Sequence, residues 1–120
     1  MRMIEIDYEA QPPIDGYGPG GFRVDGKWLE GPLQVTRAGA GPFAGLSEDG
    51  FAPLLAQAKD IDVLLLGMGA DIAPLDASLR TALEEAGIGY EVMSTPSACR
   101  TYNVLLTEDR LVAAALIPIA

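Results

Sequence analysis

Apolar positions along the chain change their spacing several times, and each change predicts an element. Ile4, Ile6 and Tyr8 alternate with Glu5, Asp7 and Glu9, the period of a half-buried strand. The run Gln11-Pro12-Pro13-Ile14-Asp15-Gly16-Tyr17-Gly18-Pro19-Gly20-Gly21 then interrupts every pattern. Proline withdraws a backbone donor and glycine adds backbone entropy, so a loop or lead-in arm is expected there. Residues 22–24 and 27–29 flank Asp25-Gly26, which readily takes the positive φ angles of a type I′ turn, and predict a β-hairpin. Gln34-Val35-Thr36 is a further strand candidate, and the Gly/Ala/Pro-rich residues 37–45 read as a second loop.

Beyond residue 50 the rhythm becomes regular. Phe51, Leu54, Leu55 and Ala58 fall at i, i+3, i+4 and i+7, one face of a helix starting near Gly50 with Pro53 in its first turn. Val63-Leu64-Leu65-Leu66 reads as a buried strand. Leu75, Leu79, Ala82, Leu83 and Ala86 form a second helical face, closed by Gly87, and Tyr90-Glu91-Val92-Met93 is the next strand. Strand, helix and strand within about thirty residues make a βαβ crossover, so the two strands should run parallel with their C-terminal ends at one edge. Thr95-Pro96 signals a third helix, with the Thr95 hydroxyl as cap and proline at the first helical position. Cys99, Tyr102 and Leu106 would share one face of it, and Arg100, Asn103 and Thr107 another. Residues 111–117 are apolar enough for a central strand, which Pro118 would end. The predicted architecture is a single-domain α/β three-layer sandwich with a central mixed sheet, an N-terminal β-hairpin and a βαβ unit. Residues 1–20 would be an extended arm and residues 21–120 the domain.

Composition narrows the chemistry. A chain of 120 residues, 49% hydrophobic and 21% charged, suits one folded domain with its own core. With 0 His and 1 Cys, histidine acid/base steps, Ser-His-Asp triads, thiolate zinc cages and intramolecular disulfides are excluded. Eight basic residues against 17 acidic ones give a formal charge of −9, which argues against nucleic acid as a partner. The acids are scattered and read as a solvated exterior. Charges within the first ten residues break any secretory apolar core, and no apolar run approaches the ~20 residues of a membrane helix. A cytoplasmic protein, peripheral at most to a membrane, is therefore expected.

Two candidate sites emerge. Gly67-Met68-Gly69-Ala70-Asp71 follows a predicted parallel strand, where α/β folds place ligand loops. The third position of a dinucleotide fingerprint is Ile72 and no P-loop lysine follows, so a tight turn beneath a helix is the plainer reading. Ser94, Thr95 and Ser97 follow the neighbouring strand, and Arg100 sits near a helix N-terminus, where the dipole disfavours a cation. Free amides, hydroxyls and one guanidinium would make an anion cradle, with Gly67, Gly69, Asp71 and Asn103 around it. The plainer alternative pairs Arg100 with an acid such as Asp71. Cys99 would gain nucleophilicity from the helix terminus, yet it lies on the apolar face without a base and fits a core residue better. Adjacent acids at Glu84-Glu85 and Glu108-Asp109 do not converge, and Asp60 and Asp62 mark a strand entry. No metal site is expected. The second candidate is an interaction patch formed by Tyr17, Phe22 and Trp28.

The stretch Thr95-Pro96-x-Ala98-Cys99-x-Thr101-Tyr102-Asn103-x-Leu105, then Glu108-x-Arg110 and Ala114-Ala115-Leu116-Ile117-Pro118, resembles one family of small domains. That family includes the third assembly factor of mitochondrial respiratory complex I and uncharacterised bacterial and archaeal relatives. Gly67-x-Gly69 and Tyr17-Gly18-x-Gly20-Gly21-Phe22 fit the same pattern. The resemblance implies a three-layer α/β fold, a protein partner near the inner membrane and a non-catalytic interaction or assembly role; bacterial relatives are often encoded beside protein-export components. It implies no cofactor and no catalytic residues. Binding of a small anion or nucleotide between residues 67–71 and 94–100 is the alternative.

Overall fold

The computed structural model describes residues 11–120; the strand expected around Ile4, Ile6 and Tyr8 lies outside the described residues. Two sheets organise the chain. Strands β1 (Ile14–Gly18), β2 (Gly21–Val24) and β3 (Lys27–Glu30) form an antiparallel sheet in the order β1-β2-β3. Asp25 (φ 54°) and Gly26 (φ 77°) make the turn between β2 and β3, as the dipeptide predicts. The second sheet has the order β5-β4-β8-β6-β7, built from β4 (Leu33–Thr36), β5 (Gly39–Pro42), β6 (Val63–Met68), β7 (Gly89–Met93) and β8 (Val112–Ile117). Strands β6, β7 and β8 are parallel, and β4 runs antiparallel to both β5 and β8.

Two stretches read as loops are strands. Ile14–Gly18 pairs with β2 through a register irregularity between Ile14 and Gly16, and Gly39–Pro42 pairs with β4. Both are outermost strands among the described residues, where glycine and proline are tolerated because only one side of the backbone must pair.

Helix α1 (Glu48–Leu55) begins earlier than Gly50, because the Ser47 hydroxyl caps it by accepting from the Gly50 amide at 3.2 Å. Pro53 consequently falls inside the helix and not in its first turn. Helix α2 (Ala77–Glu85) links β6 to β7 and ends at Gly87 (φ 79°), where the Ile88 amide reaches the Leu83 carbonyl at 3.0 Å. Helix α3 (Thr95–Thr107) leads from β7 back over β6 to β8. The two crossovers run in opposite directions along the sheet, so a right-handed connection puts α2 and α3 on opposite faces.

Alternation along the central strands divides the core accordingly. Leu65, Val112, Ala114 and Leu116 face α3 and the small sheet, with Phe22, Val24, Cys99 and Tyr102. Leu64, Leu66, Ala113 and Ala115 face α1 and α2, with Phe51, Leu54, Leu79 and Leu83. The result is the expected three-layer arrangement with a central mixed sheet. Among the described residues no helix is long and apolar enough to cross a membrane.

Candidate functional site

The C-terminal ends of β6 and β8 meet the start of α3, and one side chain joins them. The Thr95 hydroxyl donates to the Ile117 carbonyl and accepts from the Gly69 amide at 2.8 Å, while the Thr95 amide donates to the Gly69 carbonyl at 2.8 Å. Thr95 is wholly buried. It is therefore not the helix cap: Ser94 caps α3, and Pro96 occupies the second helical position. Gly67 makes the approach possible, since a Cβ there would lie 2.8 Å from Thr95 Oγ1 and 3.0 Å from Thr95 Cα.

The backbone amides expected in the anion cradle already have partners at the head of α3. At the head of α3 the Thr95 amide is held by Gly69, Pro96 has none, the Ser97 amide donates to Ser94 Oγ at 3.4 Å, and the Ala98 amide to the Ser94 carbonyl at 2.9 Å. Ser94 Oγ lies 3.2 Å from Ser97 Oγ, to which Arg100 Nη2 donates at 3.3 Å. Arg100 and Asp71 are exposed. The structure thus gathers Gly67, Gly69 and Thr95 into an internal junction and strings Ser94, Ser97 and Arg100 from the cap of α3 into its second turn.

Asn103 belongs to neither group. Its amide clamps the backbone of β1, accepting from the Ile14 amide and donating to the Ile14 carbonyl, both at 2.8 Å. Tyr102 Oη donates to the Pro12 carbonyl at 2.7 Å, and the Gln11 side chain donates to the Val112 carbonyl. Asn103, expected at the crevice, instead fastens β1. Burial pushes the Tyr102 hydroxyl well above the ordinary phenol range.

Cys99 is buried, and desolvation pushes its pKa from 9.0 up to about 11 despite the opposing influence of Arg100. A neutral thiol is held at physiological pH. Iodoacetamide at neutral pH is expected to label folded protein about a hundredfold more slowly than urea-unfolded protein, since two pKa units separate their thiolate fractions; equal rates would show the thiol accessible and activated. The folded chain also keeps a proton that the unfolded chain releases. The stabilisation from Cys99 is therefore full below about pH 9 and lost as pH rises through about 11.

Tyr17, Phe22 and Trp28 do not form one patch. Phe22 is 0% exposed and belongs to the core, whereas Tyr17 is 41% and Trp28 40% exposed. Register pairs Tyr17 with Phe22 and Trp28 with Arg23, and neighbouring residues of β2 point to opposite faces. Tyr17 thus shares the inward face of Phe22, and Trp28 stands on the outer one.

Trp28 marks a feature that the sequence reading missed. Its indole lies on Gly21, where a Cβ would come within 2.8 Å of the ring, and its Nε1 donates to Glu30. Beside it runs a groove of about 340 Å³ between β3 and the β4–β5 hairpin, lined by Trp28, Leu29, Glu30, Leu33, Ala40 and Pro42. The alternation of Trp28 and Glu30 hinted at an exposed strand, but β5 had no apolar signal to place it alongside.

Residues 14–117 match the model of a family described as a protein of unknown function (DUF498/DUF598). The chain is 51% identical over 118 residues to an uncharacterized protein of Rhodobacter capsulatus, covering 98% of this chain and 94% of the relative. It is 37% identical over 123 residues to NADH dehydrogenase (ubiquinone) 1 alpha subcomplex assembly factor 3 of Danio rerio, covering 98% of this chain and 71% of that protein. The crystal structure of an outer membrane protein from Bartonella henselae superposes with a TM-score of 0.88 at 36% identity, covering 92% of this chain and 98% of that one. The family match runs from β1 to the end of β8 and takes in the whole three-layer core, so the chain belongs to the DUF498/DUF598 family and is a relative of the assembly factor 3 proteins.

Proposed function

We propose that this chain is a non-catalytic, protein-binding domain that assists the assembly of a membrane complex of the NADH dehydrogenase class, working from the aqueous side of the membrane. The observation that carries this reading is the likeness to assembly factor 3, which extends over 98% of the chain and so covers the entire domain. The chemistry at the strand ends agrees with it. Polar groups that an enzyme would turn toward a substrate are here bonded to one another, with Thr95, Gly69 and Ile117 closing the junction from inside.

Deleting the gene from the organism that carries it is expected to lower the amount of intact NADH dehydrogenase complex on a native gel several-fold. Re-expression should restore it. An undiminished complex in the deletion strain overturns the reading.

A further inference from the structure

Strands β3 and β5 border the same groove, and among the described residues each is the last strand of its sheet. Their registers determine what they offer. The Gly31 amide bonds the Gly20 carbonyl at 2.7 Å, continuing the β2–β3 ladder; alternation then turns the N–H and C=O of Trp28 and Glu30 away from β2. The Phe43 amide bonds the Pro32 carbonyl at 3.0 Å, so Gly39 and Gly41 face β4 while the Ala40 N–H and C=O and the Pro42 C=O face outward. Edge strands are ordinarily guarded by charged side chains, bulges or a covering element. The sequence of β5, Gly39-Ala40-Gly41-Pro42, carries no charge, and proline guards only its last position.

Side chains add direction to this backbone pattern. Trp28 is 40% exposed yet pre-positioned, with one ring face on Gly21 and its N–H held by Glu30. A fixed aromatic beside an apolar trough is the usual anchor of a protein interface, because little side-chain entropy remains to be lost on binding. Glu30 is the one charged residue lining the trough.

We propose that the groove between β3 and β5 receives an extended segment of a partner protein, which pairs with the β3 edge at Trp28 and Glu30 and sets a lysine or arginine against the Glu30 carboxylate. This inference rests on the protein-binding reading above and specifies the partner's chemistry: apolar residues alternating with at least one cation. A second copy of this chain is a poor occupant, since each copy carries a charge of −9. The chain's own first ten residues bring Glu5, Asp7 and Glu9 to alternate with Ile4, Ile6 and Tyr8, the wrong charge for Glu30.

The test is selection of a random dodecapeptide phage library on the purified full chain, followed by fluorescence anisotropy with labelled peptides. Enriched sequences are expected to alternate apolar residues with Lys or Arg and to bind Trp28→Ala about tenfold or more weakly. Trp28→Ala also uncovers Gly21, so Glu30→Gln, which keeps the indole's acceptor, serves as the second variant. It should weaken the cationic peptides several-fold and leave their alanine-substituted versions unaffected. Trp28 is the single tryptophan, so its emission should shift as the wild-type groove fills. Enrichment of acidic sequences, binding indifferent to both variants, or no enrichment at all would overturn the proposal. A concentration-dependent dimer that Ala40→Lys abolishes would assign the edge to a second copy instead. The selection is read in purified components and the gene deletion in cells, so a failure of the groove proposal and a failure of the assembly reading are told apart.

Discussion

Replacing Phe22 with alanine is expected to cost the fold about 3–5 kcal/mol, the usual loss when a buried phenylalanine is truncated. Phe22 is 0% exposed and packs within the layer that also holds Val24, Leu33, Val35 and Tyr102. The cavity would open in a close-packed layer, among Val24, Leu33, Val35 and Tyr102. In a domain of this length each kcal/mol moves the thermal midpoint by roughly 4 °C, so a fall of more than ~10 °C should appear in differential scanning calorimetry. Phe22→Leu should recover most of it. A midpoint unchanged in Phe22→Ala would return Phe22 to the surface and undo its separation from Trp28.

Thr95→Val should be nearly as damaging although it conserves volume. Valine fills the same space but leaves the buried Gly69 amide and the part-buried Ile117 carbonyl facing an apolar group. An unsatisfied buried backbone group costs about 1–3 kcal/mol, so a loss of ~2–5 kcal/mol is expected for the pair. Thr95→Ser keeps the hydroxyl and should lose far less. Urea titration distinguishes the two variants, and amide exchange at Gly69 should accelerate selectively in Thr95→Val. Equal stability of the valine and serine variants would mean that the hydroxyl holds nothing together.

The contrast between these residues explains what the sequence disclosed. The βαβ unit was legible because Val63-Leu64-Leu65-Leu66 and the Leu79, Ala82, Leu83 spacing carry their own periodicity, although Leu75, expected on the same face, lies before the Asp76 cap; α2 ends where Gly87 can turn left-handed. Strands β1 and β5 were illegible because their glycines and prolines display no periodicity; their pairing is decided by the backbone of β2 and β4. Thr95 looks like a cap in the sequence, and only the arrival of Gly69 and Ile117, 26 and 22 positions away, takes its hydroxyl and leaves the cap to Ser94. Asn103 bonds the backbone of Ile14, a partner 89 positions distant that local pattern cannot reveal. The aromatic trio failed for a geometric reason. Side chains adjacent in sequence or joined by a short turn share a surface only if strand register allows it, and here register sends Phe22 inward and Trp28 outward.

The position of β8 also dictates when the molecule can become itself. It follows every other strand in the chain yet lies in the middle of the large sheet, between β4 and β6. The β4–β5 hairpin and the β6-α2-β7 unit are therefore both synthesised before the strand that joins them, and the large sheet can close only once Val112–Ile117 is available. A chain cut short before residue 112 lacks the strand that joins the two halves of the large sheet, so closure of that sheet is a single late event rather than a gradual accretion.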